Sequence, residues 1–242
     1  MLMLLLEGLA HAQENEAVGF TLAEIWEHSG FIARAVIVTL LAMFLATIVV
    51  GIERALAFRR ARAHSMRLAG EIVGPLQTGD VAAALRVAQD EQFKAGYLTA
   101  LLKSGLEELQ DSVNESTLDN ARRAVQKAHG EEMAKLQRGM TILATTGSTA
   151  PFVGLFGTTF GVINAFQGMA EAGSGLASIS AGISEALITT GVGIGVAVWG
   201  VWLFNYFNLR IQKVGDELNS SEADFMQWAH KLLQGVLPEA AK

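Results

Sequence analysis

Glu185 is the residue whose type and position most plainly ask for chemistry. It is the one carboxylic acid in Leu176–Phe207, LASISAGISEALITTGVGIGVAVWGVWLFNYF, a stretch long enough to cross a bilayer, and it lies near the middle of that stretch. An ionisable group at the centre of a membrane helix costs about 2.5–3.5 kcal/mol on insertion scales, so an acid there is a functional-site candidate by default. On a helical wheel Ser178, Gly182, Glu185, Thr189, Gly193, Val196 and Gly200 share one face at 4-3 spacing. Leu176, Ile183, Leu187, Ile194, Val198 and Val201 lie mostly opposite. One face is therefore small and polar with a single acid, and the other is apolar. The polar face should turn toward neighbouring helices or an internal water-filled space. The residues alone leave two roles open. Glu185 either bonds to Ser and Thr hydroxyls of a neighbouring helix and fixes packing, or it belongs to a polar path shared by several copies.

The hydroxyls are concentrated in the preceding apolar block, Gly139 to Met169, which carries no charge. It contains Thr141, Thr145, Thr146, Ser148, Thr149, Thr158, Thr159 and Asn164. Pro151 removes one backbone hydrogen bond and predicts a kink or a local unwinding. Gly154, Gly157 and Gly161 recur at helical spacing, and Gly157-Thr-Thr-Phe-Gly161 is a GxxxG pattern for close helix approach, with Gly182 as its counterpart on the third block. No Lys follows these glycines, so they do not form a phosphate loop. Gly191-Val-Gly193-Ile-Gly195 sits inside an apolar helix without a preceding strand, so it is not a nucleotide loop either.

Three such blocks dominate a chain of 242 residues with 51% hydrophobic residues and a mean hydropathy of +0.34. About 20 apolar residues span the hydrocarbon as a helix. The fold expected is an all-α membrane protein with three transmembrane helices, N-terminus out and C-terminus in, whose long helices extend into a cytoplasmic helical domain. The net charge of −6 offers no basic face for nucleic acid. The chain has no Cys, which excludes disulfides and thiolate metal sites. His64 and His129 have no partner at metal spacing and read as ordinary surface residues, and no nucleophile–base pair can be assembled. No enzyme, cofactor or metal is expected.

Residues 1–30 read as a periplasmic segment, with Thr21 and Glu24 at capping-box spacing before a short interfacial helix. Residues 1–12 resemble a secretory leader but lack a basic start and are interrupted by Glu7, so retention is expected. The first span covers 31–52, with Arg34 placed to snorkel. No Lys or Arg precedes Arg34, whereas Arg54, Arg59, Arg60, Arg62 and Arg67 follow the span; this asymmetry puts residue 53 onward in the cytoplasm. Residues 53–138 form a cytoplasmic helical domain. Gly74-Pro75 should break it, Thr78-Gly79-Asp80 should start a new helix, and Tyr97, Leu98, Leu101, Leu102, Leu106 and Leu109 supply an apolar stripe. A charged helix from 115 to 137 shows no break and is expected to run straight into the second span, 139–169. A periplasmic loop at 170–175, the third span at 176–207 and a cytoplasmic helix within 208–242, ended by Pro238, complete the plan. Ile211, Val214, Leu218, Phe225, Trp228, Leu232 and Leu233 are the apolar positions of that last helix.

GSTAPFVGLFGTTFGVINAF, followed by AGISEALITTGVGIGVA, resembles the ExbB/TolQ members of the MotA/TolQ/ExbB proton-channel family. The resemblance covers about 139–210 and implies a homopentamer whose second and third helices line a pore. That pore would hold the single spans of an ExbD/TolR-like partner, whose aspartate carries the proton, with a TonB/TolA-like transducer beyond it. By position in the motif, the resemblance assigns the pore glutamate to Glu185 and pore threonines to Thr158 and Thr190. Five residues turn a helix by about 140°, so the wheel puts Thr189 rather than Thr190 beside Glu185; Thr190 is chosen from the motif and Thr189 kept in reserve. One departure is the run Val198-Trp199-Gly200, where family members carry a proline.

The function implied is a proton-channel, stator-like subunit of an inner-membrane motor driven by the proton-motive force, energising TonB-type import or Tol-type envelope maintenance. A gliding-motility motor of the same family is one alternative, and a passive scaffold without proton flux is another. A small-solute transporter fits less well, because no inverted repeat with broken half-helices is visible.

Overall fold

The computed structural model describes residues 30–172 and 176–236. Six α-helices carry these residues: α1 Phe31–Gln77, α2 Val81–Gln89, α3 Tyr97–Leu109, α4 Glu115–Gln137, α5 Met140–Ala172 and α6 Leu176–Leu233. A single 3-10 turn, Glu91–Phe93, separates α2 from α3, and no strand occurs among the described residues. The chain is thus all-α. Helices α1, α5 and α6 each contain a stretch apolar and long enough to cross a membrane, and the chain is a multi-pass membrane protein. The expectations for residues 1–29, including the leader, the capping box and the interfacial helix, lie outside the described residues, as does Pro238.

By contacts the chain divides into two units. One takes the described residues up to Met43 together with Thr149–Ala197; the other takes Phe44–Ser148 and the described residues from Val198 on.

Helix length is the feature that the sequence reading most understates. Helix α6 holds 58 residues without a break, against about 20 needed for a bilayer, so the third span and the tail helix are one element. Helix α1 runs on through Gly74-Pro75 to Gln77 instead of breaking there. Pro75 falls in its last turn, where little of the hydrogen-bond ladder remains to be lost. Helix α5 passes unbroken through Pro151, so the local unwinding does not occur, and it reaches Ala172, beyond the expected start of the loop. On α1 the exposed Val38, Leu41, Leu45, Val49 and Ile52 follow 3-4 spacing and form an apolar stripe.

The second unit has a conventional apolar core. Leu68, Leu101, Leu106, Leu109, Val125, Phe207 and Leu218 are among its deeply buried members, and Phe58 stacks on Phe207 at 5.9 Å. The predicted stripe of α3 is buried, and the stripe of α6 is buried at Ile211, Val214, Leu218 and Phe225. Gly105 is needed because a Cβ there would lie 2.5 Å from the Phe225 ring.

Caps explain where these helices stop and start. Gly79, at φ +72, ends the turn after α1, and the Asp80 carboxylate accepts from the Ala83 N–H to start α2. Asn114 and Thr117 form a reciprocal capping box at the start of α4. Helix α4 does not run straight into α5. It stops at Gln137, and Gly139 takes φ +78, a left-handed conformation that L side chains avoid. Gly235, at φ +65, follows the end of α6 at Leu233, so this glycine and not Pro238 marks the stop.

One further side chain departs from the sequence reading, and another has a partner that the sequence does not show. His129 is half-buried, with Nδ1 3.3 Å from the Glu222 carboxylate, so it is no ordinary surface residue. Arg54 is only 6% exposed and donates to the Lys135 carbonyl at 3.0 Å, near the carbonyl-rich end of α4, as well as to Glu53.

Candidate functional site

The site lies in the first unit, where α5 and α6 approach each other along glycines. A Cβ on Gly154 would stand 2.7 Å from the Thr189 carbonyl oxygen, and one on Gly193 would stand 2.7 Å from the Ala150 carbonyl oxygen. Further along, Gly161 meets Ala186 and Gly182 meets Ala165, each with less than 3.0 Å available for a Cβ. The helices are in backbone contact at these glycines, which leaves no room for a Cβ. Gly154, Gly157, Gly161 and Gly182, singled out from spacing, all lie in this seam.

The seam brings two hydroxyls together. The Thr158 side chain lies against that of Thr190 in a short hydrogen bond, in which either can donate. Thr158 also reaches the Gly154 carbonyl at 3.2 Å and the Ala186 carbonyl at 3.3 Å. Both side chains are partly buried.

Thr189 is placed differently. It is 1% exposed and donates to the Ala186 carbonyl at 2.7 Å and the Gly154 carbonyl at 3.3 Å. It also fills the space over Gly157, where an added Cβ would lie 2.7 Å from its hydroxyl. Its hydroxyl is committed to the seam. The wheel position that favoured Thr189 thus marks a packing contact, and the motif position marks the hydroxyl pair.

Glu185 stands apart from the pair. Its Oε1 accepts the Gly30 backbone N–H at 3.2 Å, and the Gly30 carbonyl accepts the Arg34 N–H at 3.0 Å. Gly30 is therefore the residue that opens α1. The carboxylate sits at the positive end of the α1 dipole, where a negative charge is stabilised. Two expectations change. The partner is the α1 backbone and not a Ser or Thr of the second span, and Glu185 is level with the beginning of α1 and not with mid-span. Thr190 lies five residues on, about 7.5 Å further along the helix axis. Val36, six residues into α1, is in reach of Gly157 at that deeper level.

Sequence reasoning missed the Glu185–Gly30 contact because the partners are 155 residues apart and one is a backbone amide. The only available signal was the glycine immediately before an apolar run. Among the described residues no cluster of His, Asp and Glu is arranged to hold a metal. An acid on a helix terminus followed inward by a hydroxyl pair can accept a proton and pass hydrogen bonds deeper, but it offers no nucleophile–base geometry.

Residues 94–220 match the sequence model of the MotA/TolQ/ExbB proton channel family. The Tol-Pal system protein TolQ of Pseudomonas aeruginosa is 35% identical over 118 residues, which make up 48% of this chain and 51% of that protein. The biopolymer transport protein ExbB of Xanthomonas campestris pv. campestris is 44% identical over 112 residues, 46% of this chain and 41% of that protein. The chain spans about half the length of these two relatives. The ExbB of Salmonella typhimurium is 28% identical over 200 residues, 77% of each chain.

Proposed function

Because the chain belongs to the MotA/TolQ/ExbB proton channel family, we propose that it is the channel subunit of an inner-membrane motor driven by the proton-motive force. The observation that carries this reading is the Thr158–Thr190 hydroxyl pair, held inside the glycine seam between α5 and α6, with Glu185 five residues before Thr190. Such a pair has no packing need that Val would not meet, whereas hydroxyls in a membrane helix offer hydrogen bonds to a passing proton or to another protein's acid. Several copies, five by the family's pattern, would surround a single-span ExbD/TolR-like partner, which supplies the second ionisable group that three spans lack. A TonB/TolA-like protein would take the work to the envelope, and a gliding motor is the alternative output. The arginines from Arg54 to Arg67 support placing the helical unit in the cytoplasm and the α1 start outside.

A second reading has its own observation. The Glu185–Gly30 contact is a helix cap, and a cap alone needs no proton flux. The two readings separate in liposomes containing the protein with and without its co-purified single-span partner. The motor reading expects partner-dependent proton flux that falls about tenfold, the worth of one lost hydrogen bond, in Thr158→Val and Thr190→Val. A passive scaffold gives no partner-dependent flux at all.

A further inference from the structure

Helices α1, α3 and α6 leave a cavity of about 360 Å³ in the second unit, with Arg62, Arg210, Lys213 and Glu217 as its charged lining. Three cations face it. Among the described residues none of Arg62, Arg210 and Lys213 is ion-paired. Arg210 is held in place: its guanidinium lies 4.8 Å over the Tyr206 ring, and its Nη2 donates to the Tyr206 hydroxyl at 2.7 Å. The single acid, Glu217, accepts the Tyr97 hydroxyl in a short hydrogen bond at one end of the cavity and is outnumbered by the three cations. The remainder is a positively charged hollow of ligand size.

Its position selects the ligand. Trp202, Tyr206 and Leu209 precede Arg210 on α6 and are exposed, as are Ile52 and Leu56 ahead of Phe58 on α1. An exposed Trp and Tyr next to an apolar span mark the level of the lipid headgroups. Phe58, Leu209 and Val214 add an apolar wall that a free inorganic anion would not use.

We propose that this cavity binds the phosphate of an anionic glycerophospholipid, with Arg62, Arg210 and Lys213 around the headgroup and the Phe58–Leu209 wall against its glycerol and acyl base. The site does not depend on proton conduction. It would tie α1 to α6 through a lipid at the membrane surface, as basic pockets between membrane helices do.

The test is native mass spectrometry of the full-length protein in detergent with added phosphatidylglycerol or phosphatidylcholine. Retention of phosphatidylglycerol over phosphatidylcholine is expected, with a loss on the order of thirty-fold in Arg62→Gln/Lys213→Gln. Arg62→Lys/Lys213→Arg keeps the charge and should keep the lipid. Arg122→Gln/Arg123→Gln, on the exposed side of α4, should not change retention. Equal loss in the α4 variant would overturn the site in favour of general attraction to basic surface. Unchanged retention in Arg62→Gln/Lys213→Gln would overturn it outright. Inorganic phosphate that binds with the same dependence on Arg62 and Lys213, while neither lipid is preferred, would overturn the lipid as its source.

Discussion

The two units of this chain are held together by opposite means. The second unit packs large side chains, with Leu101, Leu106, Phe207 and Leu218 buried against one another. Among its described residues the first has few large buried side chains, Leu40 among them, and instead brings helices to backbone contact at Gly154, Gly161, Gly182 and Gly193. The solvent explains the difference. Apolar burial from water supplies about 25 cal/mol per Å², whereas lipid is as apolar as leucine, and helices there gain by close fit and polar contacts. The seam that results leaves no room for bulky side chains and brings the Thr158 and Thr190 hydroxyls together.

The comparison can be broken from either side. Leu106→Ala removes a fully buried side chain from the second unit and should destabilise it by about 2–5 kcal/mol in a detergent unfolding titration. A smaller loss would mean that the core collapses around the gap. Gly154→Ala puts a methyl group 2.7 Å from a backbone carbonyl and should cost about 1–3 kcal/mol through helix displacement. Gly191→Ala, on α6 and with nothing within 4 Å of an added Cβ, should be neutral within about 0.5 kcal/mol in the monomer. Equal effects of the two alanines would refute the seam.

One pH effect belongs to the second unit. Burial and the neighbouring Glu217 carboxylate push the Tyr97 phenol well above its ordinary value. The folded state therefore favours the protonated phenol. That stability is complete below about pH 10, the ordinary tyrosine value, and is lost as pH rises above it. Tyr97→Phe should show a shallower alkaline loss of stability than the wild type, followed by circular dichroism of the helices. An identical alkaline profile would remove Tyr97 from the account.

Much of this was legible from residue order. Three apolar blocks, the α3 stripe, the Asp80 start and the glycines of the seam follow from composition and spacing, because each depends on neighbours within a few turns. Helix ends were less legible. Gly139 stops α4 where charge patterning showed no break, and Pro75 fails to stop α1 because it falls in the last turn. The wheel identified Thr189 as Glu185's neighbour on one helix, yet a wheel cannot say that α5 occupies that side. Long-range partners were invisible: Gly30 for Glu185, Lys135 for Arg54 and Glu222 for His129 each lie more than 80 residues away.

Glu185 now carries two claims, a cap on α1 and an ionisable step five residues before Thr190 on α6. Glu185→Gln separates them, since the amide oxygen can still accept the Gly30 N–H but cannot ionise. The decisive measurement is partner-dependent proton flux through liposomes containing this variant, beside Glu185→Ala. The motor account predicts that the Gln variant assembles and unfolds like the wild type, while its flux drops to background. Wild-type flux from the Gln variant, with loss of assembly only in the Ala variant, would reduce Glu185 to a cap and contradict the account.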